Sequence, residues 1–244
     1  MTDFVLSLVL LATLYPVAMQ APDDRLKEAD ELFAKRDDVE KLRQAVTLAE
    51  GLVKAVPGDY EALWRLAKYR YYLSGREADK AKQTRLLKAG GDAAKKAVAV
   101  NTNRAEGHFW IGANAGELAA LKGSVSSLGL IRTIRREFEA ALAIDPNYSR
   151  GTTHLALGEM DLRLPRLLGG SERRGLQRLE AGLQFGPQNA ELKLALAKVY
   201  LKKNRSSQAR QLLEGIVADL DPLRTPEEMK ELRDKARQLL EKAP

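Results

Sequence analysis

Apolar residues return every three to four positions along most of the chain, the spacing of one face of an α-helix. The pattern is most regular from Ala190 to Pro222. Leu196, Ala197 and Tyr200 mark one helix, and Ala209, Leu213 and Ile216 a second. The polar run Lys202-Lys203-Asn204-Arg205-Ser206 separates them, and Pro222 ends the unit. Working from the start, Ala29, Leu32 and Phe33 follow the helix-opening acids Asp23 and Asp24, and Ala45, Ala49 and Leu52 follow in turn before Pro57-Gly58-Asp59. Leu63, Leu66 and Ala67 begin the next pair, with aromatic bulk from Trp64, Tyr69, Tyr71 and Tyr72. Its second helix starts near Asp79 and runs to Val100, with Gly90-Gly91 expected as a kink or break.

A third pair opens at Ala105, carries Ile111-Gly112, and is interrupted by a turn-forming insertion from Gly123 to Gly129. It returns through Ile134, Phe138, Ala141 and Leu142 to Asp145-Pro146-Asn147-Tyr148. A fourth has Leu157-Gly158, a loop from Leu164 to Ser171 ending in an N-capping serine, and Leu176, Leu179 and Leu183 before Gly186-Pro187. Thr225-Pro226 caps and opens a last amphipathic helix. Each pair resembles a tetratricopeptide repeat (TPR), a helical hairpin of about 34 residues that buries its apolar face only against neighbours. The equivalent positions Leu66, Ile111, Leu157 and Leu196 lie 45, 46 and 39 residues apart, because loops and second helices are enlarged. The expectation is an all-α, TPR-like solenoid of about five degenerate repeats with a C-terminal capping helix, forming a single domain over residues 22–244.

Ahead of the repeats, Phe4 to Tyr15 is one apolar stretch, followed by Pro16 and small residues near Gln20 and Ala21. It reads as a signal peptide over residues 1–21, shorter than the roughly 20 apolar residues of a membrane span. Export to the periplasm is the expectation, with the cytoplasm as alternative, and no integral span in the mature chain.

Composition narrows the chemistry. The absence of cysteine removes disulfides, thiol nucleophiles and cysteine-ligated metals. The formal charge of +7 is spread among interleaved acids, the look of solvated helical faces, which sets nucleic acid aside as a partner. No Ser/His/Asp arrangement, nucleophile elbow or kinase signature is present, so a non-enzyme with no cofactor is expected. His108 and His154 are the only histidines. They lie on neighbouring first helices without further ligands at metal spacing, and no metal site is expected. Gly169-Gly170-Ser171 lacks the lysine and spacing of a phosphate loop and reads as a tight turn.

First helices of such hairpins line the concave surface. By register Trp64, Lys68 and Tyr71, then Glu106 and Phe109, then Thr152, Leu155 and Glu159, and finally Leu194 and Lys198 face it. Aromatic and aliphatic groups with a few polar ones suit a hydrophobic small molecule or an extended peptide. Arg132, Arg135, Arg136, Arg163, Arg166, Arg173, Arg174 and Arg178 form a basic concentration about the Leu164–Ser171 loop, with few acids nearby in sequence. It suits an acidic partner, lipid headgroups or a solvated or inter-subunit face.

The stretch Trp110-Ile111-Gly112-Ala113-Asn114, then Asp145-Pro146-Asn147, Leu157-Gly158 and Pro165 to Gly170, resembles in order and spacing the TatT family, the T components associated with tripartite ATP-independent periplasmic (TRAP) transporters. The regulators of microtubule dynamics have a similar repeat pattern and are a secondary match. The TatT resemblance implies a periplasmic helical protein that forms homo-oligomers and holds an apolar or amphipathic ligand in a channel or pocket. Its implied partner is a periplasmic solute-binding protein. Members carry a lipid-anchoring cysteine; this chain has none, which fits a soluble periplasmic form. The alternative is a generic TPR scaffold gripping a peptide or protein in its groove through charges such as Glu61, Glu106 and Glu191.

Overall fold

A computed structural model describes residues 22–123 and 128–242. The leader expected over residues 1–21 and the centre of the Gly123–Gly129 insertion lie outside them. Among the described residues the secondary structure is helical, with no strand. In order run α1 (Pro22–Ala34), α2 (Val39–Ala55), α3 (Tyr60–Ser74), α4 (Lys80–Val100), α5 (Ala105–Lys122), α6 (Leu128–Ile144), α7 (Thr152–Arg163), α8 (Glu172–Phe185), α9 (Ala190–Lys202), α10 (Ser206–Ala218) and α11 (Pro226–Lys242). A short 3₁₀ turn, Arg166–Leu168, sits between α7 and α8.

Local chemistry fixes the helix starts. The carboxylates of Asp38, Asp59 and Asp79 and the amide oxygen of Asn189 accept from backbone N–H groups of the first turns of α2, α3, α4 and α9. Each satisfies a donor that the helix leaves unpaired, worth about 1 kcal/mol. At α11 the Thr225 hydroxyl accepts from Glu228 N and the Glu228 carboxylate accepts from Thr225 N, a reciprocal capping box.

Consecutive helices pair as antiparallel hairpins, α1/α2 through α9/α10, and each hairpin stacks on the next, with α11 packed on α9 and α10. The small residue in each Ile-Gly or Leu-Gly pair marks where first and second helices cross. A Cβ on Gly112 would come within 2.8 Å of Phe138, and one on Gly158 within 2.9 Å of Leu179. Of the kink or break expected at Gly90-Gly91, the break does not occur: α4 is one continuous helix across it. Gly90 is needed for packing instead, since a Cβ there would collide with Asn114 Oδ1. A glycine tolerated inside a helix for close approach costs about 1 kcal/mol in propensity, which the α3–α4–α5 contact outweighs.

Two large apolar cores divide the stack, with two small clusters beside them in α1–α4. The first joins α1–α7 through Phe33, Leu66, Tyr69, Phe109, Trp110, Phe138 and Leu157. The second is aliphatic and joins α7–α11 through Leu179, Leu192, Leu196, Leu213, Ile216 and Leu232. The stack also curls until its ends meet. Arg36, in the α1–α2 turn, donates from Nε and Nη2 to the two oxygens of Glu228 on α11 at 2.9 and 2.6 Å. It donates again to the Leu223 carbonyl at 2.8 Å, and the Thr225 hydroxyl donates to Asp37 at 2.7 Å. Arg36 also stacks over Phe33 and Tyr72. A fork–fork pair of this geometry is among the stronger charge-assisted contacts. It shuts one side of the concave face.

Candidate ligand cavity

Behind this clasp a partly open hollow of about 630 Å³ lies between α5, α6 and α7. It continues into a narrower hollow of about 340 Å³ against α3, α9 and the α10–α11 segment. Tyr71, Phe109, Ala113, Thr152 and Glu191 border both. The larger part is walled by Ile131, Ile134, Phe138, Leu155, Ala156 and Met160, and reaches Leu164, Pro165 and Leu168 at its outer end. The volume falls in the range of ordinary small-molecule sites.

An aromatic ladder shapes the walls. Phe33 stacks on Tyr69 with centroids 4.9 Å apart and meets Tyr72 edge-on at 5.0 Å. Tyr71 contacts Trp110 at 5.5 Å, and Phe109 touches Trp110, Phe138 and Tyr148 at 5.1, 5.4 and 5.0 Å. Rings locked against several others cannot swing inward, so the hollow is held open by side chains already packed on their far sides.

The polar groups are few. The Lys68 ammonium sits 4.1 Å from the centre of the Phe33 ring, a cation–π contact. Burial pulls its pKa down to about 8, with Arg36 and Arg65 adding to the fall and Asp30 opposing it. Arg224 donates to Glu191 at 2.6 Å. Burial raises the Glu191 carboxyl above the usual range, Arg224 resisting and Glu159 and Glu228 reinforcing. The Tyr71 hydroxyl donates to Glu117 at 3.4 Å, and burial first, then Glu117, pushes it up. An apolar body with a few charges suits an amphipathic occupant.

Of the residues placed on the concave face by register, Lys68, Tyr71, Phe109, Thr152, Leu155 and Glu159 border this hollow. Trp64, Glu106, Leu194 and Lys198 lie elsewhere. Trp64 donates from its ring to Glu61 and is covered by Arg65. Glu106 is held by Arg104 and by the Tyr60 hydroxyl at the α3–α5 edge. Leu194 is buried in the C-terminal core, and Lys198 is exposed beside an adjoining hollow that shares Glu159 and Arg163 with the main one. Helix tilt rotates each first helix relative to its neighbour, so one register does not serve all five. Glu61, too, pairs with Arg104 and Arg65 instead of facing the hollow, whereas Glu191 faces it.

The basic concentration is reorganised. Arg135, Arg174 and Arg178 converge on Asp161, whose side chain is fully buried, at 2.8, 2.7 and 3.4 Å. Burial would raise that carboxyl, but hydrogen bonds from Arg174 and Arg135 and the charge of Arg178 hold it below the usual range. Arg136 pairs with Glu137 and Arg163 with Glu159. Of the eight, only Arg132, Arg166 and Arg173 are exposed without an ion pair among the described residues. The acids that looked scarce along the sequence come from α6 and α7 in space.

The two histidines do not meet. His108 Nδ1 lies 2.7 Å from Glu137, and its Nε2 is 3.1 Å from the Thr102 carbonyl. His154 stacks on Phe185, and burial lowers its pKa, with Arg178 adding to the fall. No group of three or more metal-ligating side chains gathers among the described residues. No helix there is long and apolar enough to cross a membrane.

Sequence reasoning missed Phe33, Glu117 and Arg224 as cavity residues. Glu117 sits beyond the motif stretch, near the enlarged α5 end. Arg224 arrives only because the chain ends meet, and no local pattern signals that.

Comparison with known proteins agrees with this architecture. A thermophilic TPR protein from Thermus thermophilus superposes with a TM-score of 0.66 at 21% identity, covering 90% of this chain and 99% of that one. PilF of Pseudomonas aeruginosa gives 0.58 at 15% identity, over 89% of this chain and 87% of that one. PilW, a type IV pilus biogenesis factor, gives 0.57 at 18%, over 93% and 89%. At these identities the likeness is one of fold. No curated protein matches the chain. A family model described as tetratricopeptide repeat matches residues 170–223. A second, described as regulator of microtubule dynamics protein 1-3, matches residues 25–160, more than half the chain. That stretch holds most of α1, the whole of α2–α6 and most of α7, with the aromatic ladder and much of the hollow. The chain is thus a TPR-type helical protein that belongs to the regulator of microtubule dynamics protein 1-3 family.

Proposed function

We propose that this chain is a non-enzymatic accessory protein that binds an elongated apolar or amphipathic molecule in its clasped cavity and exchanges it with a protein partner. The single observation that carries the reading is the partly open hollow itself, walled by locked aromatic rings and fenced on one side by the Arg36–Glu228 clasp. A plain TPR groove needs no such clasp across its ends. The ordered resemblance from Trp110 to Gly170 supports the TatT-like form of this role, a periplasmic or exported component of a TRAP-type system working with a solute-binding protein.

The test is native mass spectrometry of protein purified from its own cell envelope or cytosol. The expected result is a protein carrying retained small-molecule mass, lost in an Ala113→Phe variant that fills the junction of the two hollows. Co-purification of a solute-binding protein supports the transport arm; an intact N-terminus in the cytoplasm refutes that arm.

A second reading is a scaffold that grips a peptide or protein. The observation favouring it is the TPR-type match over α8–α10 together with charged groove groups such as Glu191. A retained peptide in place of a small molecule would decide for it.

A further inference from the structure

Among the described residues, the large apolar side chains left exposed fall into two sets. Val56, Val100, Ile144, Phe185 and Leu220 all lie at or just after the C-terminal ends of second helices. They recur with the repeat and belong to its architecture. Leu167 and Leu168 are at the opposite edge, where first helices end and second helices begin, on the Arg166–Leu168 turn. Leu167 is 98% exposed, and among the described residues no other large apolar side chain projects from that edge so fully.

The turn is built to project. Leu164 extends the backbone out of α7, Pro165 fixes the exit, and Gly169 returns it with φ of 84°. The base is anchored: Arg135 and Arg174 both donate to the Gly169 carbonyl, and the Ser171 N–H donates to the Asp161 carbonyl at 2.8 Å. A leucine held outward on a braced turn is not a floppy loop that happens to be exposed.

Cations surround it. Arg166 and Arg173 flank the turn with no ion pair among the described residues. Arg163, Lys198 and Lys202 border the adjoining hollow with Glu159 and Glu172. Glu172 is engaged by Lys203 at 2.8 Å and Glu159 by Arg163, so the surplus is positive. Leu164, Pro165 and Leu168 are at the same time the outer rim of the larger cavity.

We propose that the Pro165–Leu168 turn is a membrane-docking tip that inserts Leu167 among the headgroups of an anionic bilayer, with Arg166 and Arg173 on the lipid phosphates and the cavity rim facing the surface. Interfacial binding joins a small inserted apolar area to cationic attraction, and this tip offers both. An acidic protein is the poorer occupant, because a stable protein interface needs roughly 800 Å² on each side. A convex tip of two leucines and a proline does not present that. The proposal is independent of what the cavity holds.

The cysteine-free sequence makes the test direct. A polarity-sensitive fluorophore is attached to the full chain at Leu167→Cys, with Thr102→Cys, exposed at the opposite edge, as the reference. Vesicles of phosphatidylcholine with phosphatidylserine are expected to shift the 167 probe to the blue and leave the 102 probe unchanged. Arg166→Glu with Arg173→Glu should weaken that response about tenfold, as should raised salt. Attachment through another segment would sediment every variant alike without moving the 167 probe, and overturns the proposal. So does an equal shift with phosphatidylcholine alone, or a response to an acidic polypeptide such as polyglutamate and none to vesicles.

Discussion

The α3–α7 region and the α9–α11 region are built from the same hairpin, yet most of the hollow's wall comes from the first and only a few residues, Glu191, Leu223, Arg224 and Glu228, from the second. In the C-terminal region α9 and α10 have 13 residues each, and leucine, isoleucine and alanine fill the space between them. In the central region α4, α5 and α6 have 21, 18 and 17 residues, and rings from α3, α5 and α6 brace one another between them. Short helices with aliphatic faces can close on each other to full packing density. Longer helices bearing locked rings are held apart at their inner faces, and a void remains. Side-chain rigidity is what separates the two regions, with the hairpin itself unchanged.

The comparison can be broken at its joint first. Asp161 ties α7 to α6 and α8 at the end of the central region, and Asp161→Asn leaves three guanidinium groups around a buried neutral amide. The expected loss is about 3–5 kcal/mol in denaturant unfolding. The wild-type carboxyl has a folded pKa below its unfolded value near 3.9. Its contribution is therefore full above about pH 4 and fades as pH falls through the depressed folded value; the Asn variant should lack that acid-dependent component.

Next in size is the clasp. Arg36→Ala removes a bidentate pair and strands Glu228 half-buried, an expected cost of about 2–4 kcal/mol. If closure defines the hollow, the variant also loses retained ligand and exchanges amide protons faster in the α10–α11 segment. Unchanged exchange there would show that the ends stay together without Arg36.

The sharpest comparison uses one substitution twice. Ala197→Phe enters the filled core, where Ala197 is fully buried, and should cost about 1–3 kcal/mol or more by overpacking. Ala113→Phe points into the hollow and should change stability by less than about 1 kcal/mol while abolishing ligand retention. Equal destabilisation at both positions would mean the central region is as tightly packed as the C-terminal one.

The smallest expected effect is at Lys68. Its folded pKa of about 8 lies below the unfolded value near 10.4, so wild-type stability rises as pH goes from about 8 to about 10.4. Lys68→Met keeps the volume, removes the buried charge, and should raise stability below pH 8 by about 1 kcal/mol while flattening that slope. The charged groups facing it are Asp30, Arg36 and Arg65, with Glu191, Arg224 and Glu228 across the hollow. Persistence of the slope in the Met variant would exclude Lys68 as its source, since the Asp, Glu and Arg groups around it do not give rising stability in that window.

The sequence by itself determined the helices, their pairing and their ends. Periodicity at Leu196, Ala197 and Tyr200, the capping aspartates and the Leu157-Gly158 crossing are local facts, set by a few residues acting on one another at short range. It also placed Lys68, Tyr71, Phe109, Thr152, Leu155 and Glu159 on the faces that border the cavity, because register along one helix is local too. Tertiary structure decided the rest. Gly90 reads as a break until Asn114 is brought against it. The arginines about the Leu164–Ser171 loop read as a free basic surface until Asp161 is buried among three of them. Arg224 reaches the cavity, and Arg36 reaches Glu228, only because small tilts between successive hairpins accumulate over the whole stack. That sum depends on every inter-helix contact at once, so no single stretch of sequence carries it.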